Sequence, residues 1–291
     1  MSKIVATHLV DRGVIAVSGK DQRAFLQGIV TNDMNKVSDE HASYGAFLTP
    51  QGKYLFDFFM VMQGDTLLIE TERARIPDFV KRLTMYKLRA RIDLSDVSEQ
   101  YDIHAVFGDG ASNLFGLSPE RGATSKTDAG IAFVDPRLVD AGVRLISASG
   151  SPLPGDLTTA DTHTYDHHRL TLGLPDGSRD LIVEKSTLMD NGFDELGGID
   201  WQKGCYMGQE VTARTKHRGL VKKRLVPVTI SGSAPEPGTA VMAGERIVGE
   251  MRSANGDIGL ALIKLDAMES GDTLSANGNP IELRKPAWAA F

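Results

Sequence analysis

The chain has 291 residues, 41% of them apolar and 24% charged, the balance of a folded globular protein with room for more than one compact unit; a disordered or fibrous chain is excluded. A formal net charge of −6 opposes phosphate backbones and anionic lipid, so neither direct nucleic-acid binding nor a membrane role is expected. The single cysteine, Cys205, excludes an intrachain disulfide and a thiolate-only zinc or cluster site supplied by this chain alone.

The opening residues MSKIVATHLVDRG show neither a secretory pattern nor an Arg- and Ser-rich amphipathic one, which reads as a cytoplasmic protein. Two short strands, HLVD and GVIAVSG, lead to Ser18 and Asp21 at capping-box spacing, and the apolar spacing predicts a helix over Asp21 to Val30 ended by the TND at 31 to 33. YGAFLT, a turn at Pro50-Gln51-Gly52, KYLFDFFMVMQ, a Gly64-Asp65 turn and TLLIET predict an antiparallel meander. Ile76, Phe79, Val80 and Leu83 predict a helix. Leu88, Ala90, Ile92 and Leu94, alternating with Arg89, Arg91 and Asp93, then predict a strand. Further strands follow at YDIHAVFG, IAFVD and GVRLISA, so the middle of the chain reads as α+β with a mainly antiparallel sheet.

SGSPLPGD at 149 to 156 reads as a linker, followed by a helix from about Thr159 to Leu172 that Gly173 and Pro175 close. Asp176 to Gly204 has weak periodicity, and long irregular segments inside compact domains are often functional. From Leu220 onward short strands with turns such as Asn255-Gly256 predict a small barrel or sandwich.

The most informative stretch is KGCYMGQEVTARTKHRG at 203 to 219. Glycines at 204 and 208 bracket Cys205, the run after Gly208 reads as a helix capped by Gly219, and Lys203 stands nearby; together these describe an environment that favours thiolate. A small buried hydrophobe is the alternative reading of the same cysteine. Glu210 and Arg214 have the spacing of an ordinary i,i+4 helix pair. His163 and His167 could share one helix face as metal ligands, but without further ligands they read as solvated or core residues, and no metal site is expected. Lys216, His217, Arg218, Lys222, Lys223 and Arg224 form a basic cluster that could meet an anionic partner or simply be a solvated face.

KGCYMGQE matches the K-G-C-[YF]-x-G-Q-E signature of the folate-binding YgfZ family, and the chain resembles that family further in GLPDGSRDLIVEKSTLMDNG, VTARTKHRGLVKKRL and FLQGIVTND. The resemblance implies an α+β fold like the T-protein of the glycine cleavage system: three domains in a ring around a folate channel, the C-terminal one a small β-barrel. The expected domains are residues 1–45 with 154–219, residues 46–153, and residues 220–291. It implies tetrahydrofolate or a derivative as the bound cofactor. It also implies a role in the assembly or repair of iron–sulfur enzymes, with carrier or scaffold proteins and client enzymes as partners.

Cys205 is then the acting group, and Glu184 the acid that takes two hydrogen bonds from a pterin ring, a surface glutamate being its plain alternative. Tyr206, Gln209, Asp57 and Arg214 are the further folate contacts the resemblance suggests, Tyr206 having core packing as its plain alternative. The T-protein carries adjacent aspartates where this chain has Phe56-Asp57, so aminomethyl transfer loses a carboxylate. A tetrahydrofolate-dependent one-carbon transferase using Glu184 and Asp57, and a structural module with vestigial folate binding, are the alternatives.

Overall fold

A computed structural model describes residues 3–155 and 157–290; Asp156, the last residue of the expected linker, and the first two residues lie outside it. The chain divides into two compact units. One takes Met1–Leu48, Phe56–Thr162 and Gly197–Met207, the other Thr49–Leu55, His163–Leu196 and Gly208–Phe291.

The first unit holds two sheets. One has five strands in the order Ser43–Leu48, Tyr54–Gln63, Thr66–Glu72, Arg12–Ser18, Asp93–Asp96. The other has six, ordered Thr158–Thr159, Val5–His8, Tyr101–Phe107, Val143–Ala148, Gly130–Val134, Thr124–Thr127. Tyr54–Gln63 is buried at every position but its last, which is why YLFDFFMVMQ is a continuous apolar run and not an alternating one. Its period of two still sorts side chains by face. Phe56 and Phe58 pack on Phe79 of the helix Ile76–Lys87, with ring centroids 4.3 and 5.1 Å away, while Phe59 turns to Phe133 of the six-stranded sheet at 6.2 Å. Asp57, odd-numbered like Phe59, therefore falls on the face turned toward the second sheet.

Several expectations for this unit are corrected. The first helix is only Gln22–Gln27 and has no capping box. The Asp21 carboxylate accepts instead from the backbone N–H of Arg91 at 2.9 Å and from its guanidinium at 3.0 Å, a charge-assisted contact that outcompetes a helix amide. The expected strand over Leu88–Leu94 is restricted to Asp93–Asp96, because pairing with Ile15–Ser18 is available only there. Leu88 lies in the turn that leaves the helix, with φ +45° and 88% of its surface exposed. Thr158–Thr159 pairs in parallel with Val5–Ala6, so the next helix starts later than expected and spans Thr162–Leu172.

The second unit contains the closed barrel, in the order Lys223–Ile230, Ile258–Lys264, Arg246–Asn255, Ala240–Ala243, Leu274–Ala276, Asn279–Leu283, the last strand pairing with the first. A register shift between Met251 and Ala254 bends the long third strand, the device by which a sheet turns a corner and closes. Alternate residues divide inside from outside. Val226, Val228, Met251, Ala261 and Ile263 fill the interior, while Leu225, Leu260 and Leu262 cluster with Leu170 of Thr162–Leu172. Arg169 is buried beside Leu170, its guanidinium donating to Asp180 at 2.7 Å and to Ser253 Oγ at 2.9 Å. The segment after residue 176 is largely turns, broken by the short helices Gly177–Asp180 and Met189–Asn191. No helix among the described residues is long and apolar enough to cross a membrane.

Candidate functional site

Two sequence blocks 170 residues apart form one structure. Residues 25–33, FLQGIVTND, wrap the side chain of Lys203, whose ammonium donates to the carbonyls of Gln27 at 2.9 Å, Val30 at 2.5 Å and Asn32 at 2.8 Å. Three N–H donors meet three acceptors, which saturates the group. Lys203 is only 7% exposed, and burial pulls its pKa down to about 8. Other bonds run alongside. Thr31 Oγ1 donates to Gly198 O at 2.6 Å, Asn32 Nδ2 to Gly197 O at 2.8 Å, and the amides of Asp200 and Met207 to the carbonyls of Thr31 and Gly28. The Asp200 carboxylate accepts from the amides of Gln202 and Lys203 and pairs with Lys36 at 2.6 Å. Burial alone would raise the Asp200 pKa, but the Lys36 ammonium and these amides hold it below the usual carboxylate range.

This scaffold leaves Cys205 exposed, on non-helical backbone four residues before Gln209, where the helix Gln209–His217 starts. Tyr206 turns the other way and is buried, its ring 5.2 Å from the Lys203 ammonium. The cation the sequence places near the thiol is thus committed to backbone carbonyls. A solvent-facing thiol on a braced loop can act as a nucleophile or as a transient ligand to an incoming group.

In the same unit, a cleft of about 420 Å³ is lined by Asn32, Lys36, His41, Tyr44, Arg121 and Trp201, among others. Burial, with Lys36 nearby, lowers the His41 pKa. Beneath the cleft the Tyr44 hydroxyl donates to Asp57 Oδ2 at 2.9 Å, and burial, with the Asp57 charge, raises the Tyr44 pKa well above its ordinary value. Asp57 is buried and also accepts from Thr71 Oγ1 through its carbonyl.

Arg137 lies over the Tyr44 ring and donates to Asp135 at 2.8 Å. Arg144 bridges Asp135 at 3.4 Å and Glu70 at 3.0 Å, and Arg12 closes the chain on Glu70 at 2.5 Å. These buried charges join the two sheets. Burial would raise the Asp135 pKa, but the Arg137 and Arg144 guanidiniums hold it down.

Glu184, Gln209 and Arg214 belong to the second unit. Glu184 is exposed and occupies left-handed backbone at φ +60°, held by its N–H bond to Tyr54 O at 2.8 Å. A non-glycine residue in that region marks a backbone fixed by its surroundings. Arg214 pairs with Glu210 at 2.7 Å across one helical turn, as the spacing predicts. Gly219 has φ +58°, and the amides of Gly219 and Leu220 close on the carbonyls of Lys216 and Thr215, a Schellman cap.

The basic cluster is smaller than the sequence suggests, because Arg224 is buried against Asp194 at 3.0 Å. His163 and His167 point to Asn255 and Asp257, and no group of three or more His, Cys, Asp or Glu among the described residues is arranged to hold a metal.

Sequence reading missed Tyr44, His41, Arg121, Trp201 and the arginine–carboxylate chain. Each is an isolated letter; the only available signal was the density of charged residues in strands that are otherwise apolar.

Residues 222–291 match the family described as CAF17, C-terminal beta-barrel domain, and residues 8–133 match the GCVT N-terminal domain. The iron-sulfur cluster assembly factor IBA57 homolog, mitochondrial, of Coccidioides immitis is 31% identical over 335 residues, a match covering 97% of this chain and 77% of that protein. The protein of the same name from Neurospora crassa is 35% identical over 246 residues, covering 79% of this chain, and the match spans 55% of that longer protein.

The crystal structure of glycine cleavage system aminomethyltransferase T from Bartonella henselae superposes with a TM-score of 0.77 at 12% identity, covering 99% of this chain and 87% of that one. The expected T-protein fold with its closed C-terminal barrel is therefore present. The cytoplasmic assignment is corrected: these relatives are named mitochondrial. Composition and folded core carry no address, so they are silent on compartment.

Proposed function

The chain belongs to the family of the iron-sulfur cluster assembly factor IBA57 homologues, and on that footing we propose that it is a folate-binding accessory protein in the assembly or repair of [4Fe–4S] enzymes, acting through Cys205. The observation that carries this reading is the exposure of the chain's one thiol on a loop braced by Lys203. With a single thiol per chain, an iron–sulfur cluster would be met as cargo, together with ligands from a carrier or scaffold protein or from a client enzyme. Kinship with the bacterial YgfZ proteins through KGCYMGQE is part of the same proposal.

The residues fit a reduced folate in their chemistry. Glu184 offers an exposed carboxylate on a fixed turn, able to accept two N–H bonds from a pterin edge, and Gln209 and Arg214 add an amide and a cation in the same unit. Asp57 and Tyr206, both in the first unit, are the further acid and ring that the resemblance to folate-binding proteins names. When bound, the folate supplies a carrier for a one-carbon unit.

Replacing Cys205 with serine is expected to lower the activity of [4Fe–4S] enzymes in cells severalfold while the purified variant stays folded; normal activities would reject the role of the thiol. Calorimetry with tetrahydrofolate is expected to show binding that Glu184→Gln weakens by about tenfold, the scale of one charged hydrogen bond lost. Robust formation of methylene-tetrahydrofolate from aminomethyl donors would instead make the chain a transferase.

A further inference from the structure

We infer that Lys203 is the positioning residue of Cys205: its ammonium, seated in a cage of three carbonyls from the turn at residues 27 to 32, sets the backbone path of residues 203 to 207 and so the place of the thiol. The inference rests on the reading that Cys205 is the acting group.

Every side-chain N–H of Lys203 is used, by Gln27 O, Val30 O and Asn32 O. The acceptors are neutral. Asp200 pairs with Lys36, and Asp33 accepts from Gln27 Nε2 at 2.9 Å and from the amide of Asn35. The nearby carboxylates of Asp33 and Asp200 favour the charged ammonium, but its bonds run to the three carbonyls, and that is a geometric demand. A tetrahedral ammonium can aim three bonds at carbonyls converging from one turn. A planar guanidinium presents its donors in a flat fork and cannot reproduce that arrangement, although it keeps the charge.

The bonds that flank the cage act on both sides of it: Gly197, Gly198 and Asp200 are tied before Lys203, and Met207 after it. Between them Lys203 and the buried Tyr206 ring anchor the loop that carries Cys205 outward. Removing the ammonium leaves three carbonyls to find other donors, and the cheapest relief is movement of the exposed segment at Gly204 and Cys205.

The lone cysteine makes the test direct, since a nitroxide attached to it reports only this loop. In the wild-type protein the spectrum is expected to show restricted motion. Lys203→Met and Lys203→Arg should both sharpen it, while Lys126→Met on the surface should not. Amide exchange at Met207 is expected to rise by about tenfold in Lys203→Met, with the barrel strands unchanged.

An unaltered nitroxide spectrum in a folded Lys203→Met protein, or full rescue by arginine, would overturn the inference. Should Lys203→Met fail to fold, the wild-type ammonium is observed by ¹⁵N NMR: slow exchange with solvent supports the cage, and fast exchange overturns it. Failure here is separable from failure of the proposed function. A mobile Cys205 loop in a strain whose [4Fe–4S] enzymes stay active would sustain the role of Lys203 and reject that of the thiol.

Discussion

Tyr44 and Asp57 meet where neither can be satisfied by bulk water, so the hydroxyl that lies under the cleft also sets the environment of the acid. Tyr44→Phe removes one donor from a buried carboxylate and is expected to cost about 1–3 kcal/mol, read as a fall in the urea midpoint with an unchanged slope. Asp135 gives a pH dependence of known sign. Its folded pKa lies below the unfolded value of about 3.9, so its contribution is complete above that value and is lost as pH falls through the folded pKa. Acid unfolding followed by circular dichroism should therefore have a shallower pH slope in Asp135→Asn, which is already less stable at neutral pH; an identical slope would show that the arginines do not hold this carboxyl down.

Helix Gln209–His217 starts inside the signature motif, at its Gln209, and its two ends are built from glycines with positive φ, Gly208 at +81° and Gly219 at +58°. Its first turn packs on a third. A Cβ at Gly52 would stand 3.0 Å from Val211 Cβ and 3.1 Å from Gly208 O, and Gly52 itself has φ +73°. Gly52→Ala is thus expected to cost about 1–3 kcal/mol and to speed amide exchange in the first helical turn; undisturbed exchange there would mean the turn at residues 50–52 does not brace the helix. In the barrel, Met251 is fully buried among Val226, Val248 and Ile263, and Met251→Ala should lose about 2–5 kcal/mol by leaving a cavity.

Across the first unit, the chain Arg12–Glu70–Arg144–Asp135–Arg137 ties the five-stranded sheet to the six-stranded one. Glu70→Ala leaves two buried guanidiniums without that carboxylate and is expected to destabilise the protein by about 3–5 kcal/mol. Breaking the exposed Lys126–Asp39 pair, 3.1 Å long, should cost no more than about 1 kcal/mol. Equal losses in thermal melts of the two variants would show the buried chain to be no more than surface ion pairing.

Local pattern alone was enough for the meander, the helix over Ile76–Lys87, the Gly219 cap and the strand-rich C-terminus, because period and turn chemistry are written in neighbouring letters. The same letters misled at Leu88–Ile92, where alternation had no partner strand to face, and at Ser18 and Asp21, where a guanidinium 70 residues away took the capping carboxylate. The motif around Cys205 was legible as a motif, yet nothing in it says that its lysine is spent on residues 27 to 32, since a carbonyl cage is made of backbone and leaves no side-chain signature. The closure of the barrel, the arginine chain between the sheets and the exposure of the thiol were decided only in three dimensions, because each depends on groups that the fold, and not proximity in the chain, brings within bonding distance.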